Sequence, residues 1–103
     1  MIIAITGSTG HLGRLAIAAL KTRVPASEIV ALARDPAKAA DLGVAVRLAD
    51  YSKPETLTAA LKDVDVLVLI SSNNMDDRAG DHMRVIDAAK AAGVGRIIYT
   101  SIL

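Results

Sequence analysis

The sequence predicts an α/β fold in which helices cover both faces of one parallel sheet, and two observations lead to this prediction. Five short apolar runs rich in β-branched residues recur along the chain, and the segments between them show helical periodicity. These connections are too long for hairpins, so they predict right-handed crossovers and a doubly wound sheet of order 3-2-1-4-5. The five predicted strands are Ile2 to Thr6, Ile29 to Ala33, Val44 to Leu48, Val66 to Ile70 and Arg96 to Thr100.

The composition narrows the class of protein further. The 103 residues are 52% hydrophobic but only 2% aromatic, with a net charge of +1 and no cysteine. This balance gives no basis for a nucleic-acid or membrane partner, and excludes disulfides and zinc–thiolate sites. No export signal is visible and no metal site is expected, so we predict a cytoplasmic protein with one domain over residues 1–103.

Apolar spacing and capping residues predict the helices. The apolar face of the first helix is predicted to comprise Leu12, Leu15, Ala16, Ala19 and Leu20. A later helix is predicted to bury Leu57, Ala60, Leu61 and Val64. Asp35 before Pro36 is typical of an N-cap, Ser52 and Glu55 have the spacing of a capping box, and Gly93 should end the longest helix, which begins near Asp77.

The most informative motif is the glycine-rich segment between the first strand and the first helix. It reads T-G-S-T-G-H-L-G over residues 6–13, with glycines at Gly7, Gly10 and Gly13. Such glycines allow a sharp turn, close approach of a diphosphate, and tight packing of helix on strand. The helix start adds free N–H groups and the positive end of its dipole. We therefore predict a diphosphate site, although a simple tight turn is the alternative.

This segment lacks the lysine followed by serine or threonine that a triphosphate-binding loop requires, so an ATPase is disfavoured. Arg34 follows the second strand, where an acidic residue would bind the ribose hydroxyls of NAD. A guanidinium there can pair with a 2′-phosphate, assisted by Lys38 in the next helix, which favours NADP while leaving NAD possible. The alternative is a solvated arginine beside an N-cap at Asp35.

Two further groups of residues follow predicted strands at the carboxyl edge of the sheet. Asp50, with Tyr51 beside it, is a candidate for the adenine amino group, and capping of the loop is an equal alternative. Ser71, Ser72 and Asn73 follow the fourth strand, where they are expected to line the nicotinamide ribose. Ordinary turn chemistry explains these three residues equally well.

These motifs together support a resemblance to a known family. The glycine segment, the Arg34-Asp35-Pro36 turn, the Ala49-Asp50-Tyr51 strand end and the Tyr99-Thr100-Ser101 segment resemble the NmrA-like atypical short-chain dehydrogenases. Within that family the sequence is most similar to the bacterial NAD(P)H:quinone oxidoreductases of the second type. The resemblance implies a Rossmann-like fold and an NADPH-dependent transfer of hydride to a quinone-like acceptor. The alternative is an NmrA-like regulatory module that senses dinucleotide without turnover.

The resemblance also implies roles for individual residues. It assigns Gly7, Thr9, Gly10, His11 and Leu12 to the diphosphate. It assigns Arg34 to the 2′-phosphate, Asp50 to adenine, and residues 71–73 to the nicotinamide ribose. The Tyr-x-x-x-Lys pair of ordinary short-chain dehydrogenases is absent, so no catalytic residue is assigned.

The resemblance further implies that family members extend beyond Leu103 into more strands and a smaller substrate domain. We therefore expect a fold truncated after its fifth strand. That strand would leave Ile97, Ile98 and Tyr99 at a bare outer edge, and bare edges tend to pair. The expected consequence is a homo-oligomer, with a dimer as the simplest closed form.

Overall fold

A computed structural model describes residues 1–8, 11–50, 53–70 and 78–100. The side chains of residues 11, 78–82 and 100 lie outside this description. The strands are β1 (Ile3–Ile5), β2 (Ile29–Ala33), β3 (Ala45–Leu48), β4 (Val66–Ile70) and β5 (Arg96–Thr100). The α-helices are α1 (His11–Lys21), α2 (Pro54–Ala60) and α3 (Arg78–Ala92). Two 3₁₀ helices cover Ala26–Glu28 and Pro36–Leu42, and the second is called the 36–42 helix below.

The five strands form one sheet of order β3-β2-β1-β4-β5, which confirms the predicted fold. All four strand pairs are parallel, and Ile5 of β1 pairs with Ala31 of β2 on one side and Val68 of β4 on the other. The order reverses between β1 and β4, which places the topological switch point beside the glycine segment. Open α/β sheets bind ligands outside the carboxyl ends of strands at such a point.

Alternation along the strands divides the core into two layers. Ala4, Val30 and Leu32 pack on one face of the sheet with residues of α2 and α3. On the other face, Ile5 and Ala31 pack with residues of α1 and the 36–42 helix. All five residues of β2 are buried, because this strand is covered on both faces. The aliphatic side chains of the sequence therefore fill two core layers, one on each face of the sheet.

The later helices follow most of the sequence-based predictions. Leu57, Ala60, Leu61 and Val64 are all buried as predicted. Gly93 ends α3 with a φ of +82°, and its N–H donates to the Lys90 carbonyl at 3.2 Å. The N–H of Val94 reaches the Ala89 carbonyl at 3.0 Å, which completes a Schellman motif.

The predicted apolar face of α1 is wrong at three of its five positions. Leu12, Leu15 and Ala19 are exposed, because α1 presents Gly13 and Ile17 to the sheet and Leu15 lies on the opposite side. The predicted Ser52–Glu55 capping box depends on Ser52, which lies outside the described residues; Lys53, directly before α2, makes no side-chain capping bond. The Thr56 hydroxyl supports this turn, since it donates to the Lys53 carbonyl at 2.7 Å and accepts from the Asp50 N–H at 2.9 Å.

The packing of α1 predicts a steric effect at Gly13. An added Cβ would overlap the Gly7 carbonyl oxygen and lie 2.7 Å from Ser8 Cα, so Gly13→Ala requires a backbone shift. We expect the free energy of unfolding to fall by about 2 kcal/mol, because overpacking outweighs the gain in helix propensity of about 1 kcal/mol. Urea denaturation measures the change.

Gly95→Ala is the matched control, since its new Cβ would lie 3.4 Å from the Asp65 carbonyl oxygen, an ordinary contact. We expect this control to leave stability unchanged or to raise it by up to about 1 kcal/mol. A Gly13→Ala protein as stable as the control would contradict the close approach of α1.

Candidate functional site

The glycine segment leaves β1 at the carboxyl edge of the sheet and turns at once into α1. Gly7 has a φ of +61°, a backbone conformation that L side chains rarely adopt. Gly13 is buried in the second half of the first turn of α1, against the Gly7 carbonyl. These two glycines therefore supply the sharp turn and the close helix–strand packing that the sequence predicted. Gly10 and Thr9 lie outside the described residues.

Two buried hydroxyl groups fix this turn to the neighbouring strands. The Ser8 hydroxyl, which is fully buried, donates to the Leu32 carbonyl of β2 at 2.8 Å. The Thr6 hydroxyl is also buried and accepts from the Ile70 N–H of β4 at 2.9 Å. The turn is thus held from both sides of β1. A buried hydroxyl without a partner is costly, so each bond also restricts the alternative positions of the loop.

The amino end of α1 lies at this same edge and offers a site for an anion. The helix begins at His11, so the N–H groups of its first turn have no carbonyl partner within the helix. The helix dipole adds partial positive charge there. Leu12 is 37% exposed in this first turn. The side chain of His11 lies outside the described residues.

A second cluster of positive charge follows β2 at the carboxyl edge. Arg34 is exposed directly after this strand, and Lys38 is exposed in the first half of the 36–42 helix. The Asp35 carboxylate accepts from the Ala37 N–H at 3.2 Å, which confirms this aspartate as an N-cap. Arg34 and Lys38 therefore flank a capped turn, with their charged groups accessible to a ligand.

The 36–42 helix is tied to α1 by two cations that the sequence reading did not single out. Arg14 Nη2 donates to the Lys38 carbonyl at 2.8 Å, and its Nη1 lies 3.0 and 3.2 Å from the carboxylate oxygens of Asp41. Lys21 Nζ donates to the Leu42 carbonyl at 3.0 Å. The hydrogen bond from Arg14 holds the pKa of the Asp41 carboxyl below its usual value. The only available sequence signal was the seven-residue spacing, which puts Arg14 and Lys21 on one face of α1.

Asp50 follows β3 and is half-buried. Its N–H donates to the Thr56 hydroxyl, and its carbonyl accepts from the Lys53 N–H at 2.9 Å. The Asp50 backbone therefore stabilises the turn into α2, while a role for its carboxylate towards adenine stays a prediction. Tyr51 and the predicted ribose residues Ser71, Ser72 and Asn73 lie outside the described residues.

Comparison with known proteins identifies the family. A family model described as NAD(P)H-binding matches residues 7–103. The chain belongs to this NAD(P)H-binding family. The match begins at Gly7, the first glycine of the turn described above, and confirms the predicted class of cofactor.

Individual proteins that are similar to this chain have more specific names than the family. Quinone oxidoreductase 2 of Escherichia coli is 54% identical over 99% of this chain, which spans 37% of that protein. The E. coli NADPH-dependent quinone oxidoreductase QOR2, solved as a complex with NADPH, superposes with a TM-score of 0.94 over the same shares of the two chains. Triphenylmethane reductase of Citrobacter sp., solved with NADP(H), is 44% identical with a TM-score of 0.90, over 96% of this chain and 36% of the other.

These similarities confirm the resemblance inferred from the motifs. They also show that the chain spans little more than a third of the length of these relatives. Among the described residues, no three acidic or histidine side chains are grouped as a metal site would require. Within the same residues, no helix has both the length and the apolar character needed to cross a membrane.

Proposed function

We propose that this chain binds NADPH and forms the dinucleotide-binding part of an oxidoreductase that transfers hydride to a quinone-like acceptor. The main support is the turn at the switch point, where Gly7 and Gly13 bring the amino end of α1 against β1. The similarity to an E. coli quinone oxidoreductase solved with NADPH extends over 99% of the chain and adds the substrate class.

In this proposal each part of the carboxyl edge holds one part of the dinucleotide. The diphosphate lies against the backbone of residues 7–13, including Thr9, Gly10, His11 and Leu12. Arg34 and Lys38 pair with the 2′-phosphate, because both are exposed cations at the end of β2. Asp50 and Tyr51 lie by adenine, and Ser71, Ser72 and Asn73 line the nicotinamide ribose.

Bound NADPH supplies a hydride to the acceptor. A quinone accepts hydride directly and its oxyanion can take a proton from solvent, so this chain's contribution is to orient the dinucleotide. No residue of the chain is assigned as a proton donor. The regulatory alternative, in which dinucleotide is sensed without turnover, gains no support from the relatives described above.

The first test concerns turnover. We expect the full-length protein to oxidise NADPH in the presence of quinones, because hydride transfer requires only the two ligands in register. Loss of NADPH absorbance with a series of quinones, against a reaction without acceptor, measures this activity. Tight NADPH binding without oxidation by any quinone would contradict the enzyme and favour the sensor.

The second test concerns the 2′-phosphate. We expect Arg34→Ala to weaken NADPH binding about ten- to a hundredfold and to leave NADH binding nearly unchanged, because only NADPH carries the 2′-phosphate. Calorimetric titration with both dinucleotides measures the two affinities. Arg23→Ala is the matched control: Arg23 is an exposed arginine that follows α1 at the opposite edge of the sheet. Equal loss of both affinities in Arg34→Ala would contradict its proposed role.

The outer strand β5 leads us to propose that the domain self-associates. Among the described residues β5 is an outer strand, and its Ile98 and Tyr99 are 44% and 52% exposed. We therefore expect residues 1–103, prepared alone as one dinucleotide-binding domain, to self-associate. Light scattering over a range of concentrations measures this, and a monodisperse monomer of 10.7 kDa would contradict it.

A cytoplasmic location is proposed from the cysteine-free composition, which suits a reducing compartment.

A further inference from the structure

The 36–42 helix depends on contacts outside itself. It is a 3₁₀ helix of seven residues, whereas runs longer than three or four residues are uncommon because their hydrogen-bond geometry is poor. Ala39 and Leu42 are its buried residues, and both pack in the layer that contains Ile17 of α1. The helix therefore takes its position from α1 and the sheet more than from its own hydrogen bonds.

Two cationic side chains of α1 donate to two carbonyl groups of the 36–42 helix, and the spacing of the donors is similar to that of the acceptors. Arg14 and Lys21 are seven residues apart, which is about 10.5 Å along an α-helix. Their acceptors, the carbonyls of Lys38 and Leu42, are four residues apart, which is about 8 Å along a 3₁₀ helix. The two helices therefore run in the same direction, with Arg14 holding the end near the carboxyl edge and Lys21 holding the far end.

The Arg14 contact is the one that bears on the ligand. Its guanidinium bonds to the backbone of Lys38, whose side chain is a proposed partner of the 2′-phosphate. It also contacts both carboxylate oxygens of Asp41, one turn further along. Arg14 itself follows Gly13 in α1, close to the proposed diphosphate site. One side chain thus fixes the distance between the two phosphate-binding segments.

We propose that Arg14, oriented by Asp41, is a positioning residue that selects NADPH over NADH. It holds the backbone of Lys38 relative to the amino end of α1, so that the cations after β2 meet the 2′-phosphate while the diphosphate is bound. The spacing of these two phosphate groups is fixed by the covalent structure of the adenosine ribose, so a displaced segment would lose the 2′-phosphate contact. This inference rests on the proposed NADPH binding.

Stability and selectivity should respond differently to loss of this contact. The side chains of Arg14 and Asp41 are 39% and 70% exposed, and exposed ion pairs contribute little to folding. Variants at these positions should therefore fold. Arg14→Gln is expected to weaken NADPH binding about three- to tenfold and to change NADH binding by less than about twofold.

Lys21→Gln is the matched control for Arg14→Gln. It removes the same unit of positive charge from the same helix and breaks the bond to the Leu42 carbonyl, away from Lys38. We expect the ratio of NADPH to NADH affinity to stay within about twofold of the parent in this variant. An equal fall in the ratio for both variants would overturn the proposal, because long-range charge would then explain the effect.

Asp41→Asn separates positioning from direct contact. It removes a negative charge, so general electrostatics would strengthen NADPH binding, and a freed Arg14 acting as a direct phosphate ligand would strengthen it further. Positioning through Asp41 predicts the opposite result, a selective loss of NADPH affinity of about two- to fivefold. Stronger NADPH binding in Asp41→Asn would overturn the proposal.

The titrations follow dinucleotide fluorescence at neutral pH, where Asp41 is ionised, and the chain has no tryptophan to contribute a background. Thermal melting of each variant verifies folding. If the protein without substitutions binds no NADPH, the proposed function is wrong. If the parent prefers NADPH and Arg34→Ala removes that preference while Arg14→Gln keeps it, only the positioning role of Arg14 fails.

Discussion

The candidate site depends on one steric constraint, the absence of a side chain at residue 13. Only because Gly13 lacks a Cβ can the first turn of α1 lie against the Gly7 carbonyl. That contact fixes the direction in which α1 leaves the sheet and brings the N–H groups of its first turn to the carboxyl edge. Packing of Ile17, one turn later, then holds the rest of the helix on the same face. The 36–42 helix in turn packs against α1 as well as against the sheet.

The interior of the sheet is aliphatic, and its buried polar side chains lie at the carboxyl edge. Buried strands such as β2 have aliphatic side chains on both faces and contribute no polar side chain to the interior. Among the described residues the buried polar ones are Thr6 and Ser8, both at the carboxyl end of β1, and both have a hydrogen-bond partner. Their bonds cross to β4 and β2 at the height of the glycine turn. These two cross-strand bonds therefore lie beside the proposed ligand site.

Much of the fold could be predicted from local sequence. Apolar β-branched runs predicted all five strands to within one residue at each end, because short runs of this composition favour extended backbone whatever their final burial. The orientation of α1 could not be predicted this way. Its exposed Leu12 and Leu15 look like a core face in sequence, and only the close approach at Gly13 decides which side is buried. The support that the Thr56 hydroxyl gives to the turn before α2 also has no local signal in the sequence.

Some residues of the candidate site could likewise be predicted from local sequence, whereas others depend on tertiary contacts. The glycine turn and the candidate Arg34 could be predicted because both are identified by their position relative to a strand end. Arg14 was not, since its partners are 24 and 27 residues away and belong to a helix whose 3₁₀ form the sequence did not predict. A segment with weak internal hydrogen bonds takes its position from whatever holds it, so selectivity for a ligand can depend on a side chain that does not contact the ligand. In the proposed site that side chain is Arg14, which holds the carbonyl of Lys38 and leaves the Lys38 ammonium group to the ligand.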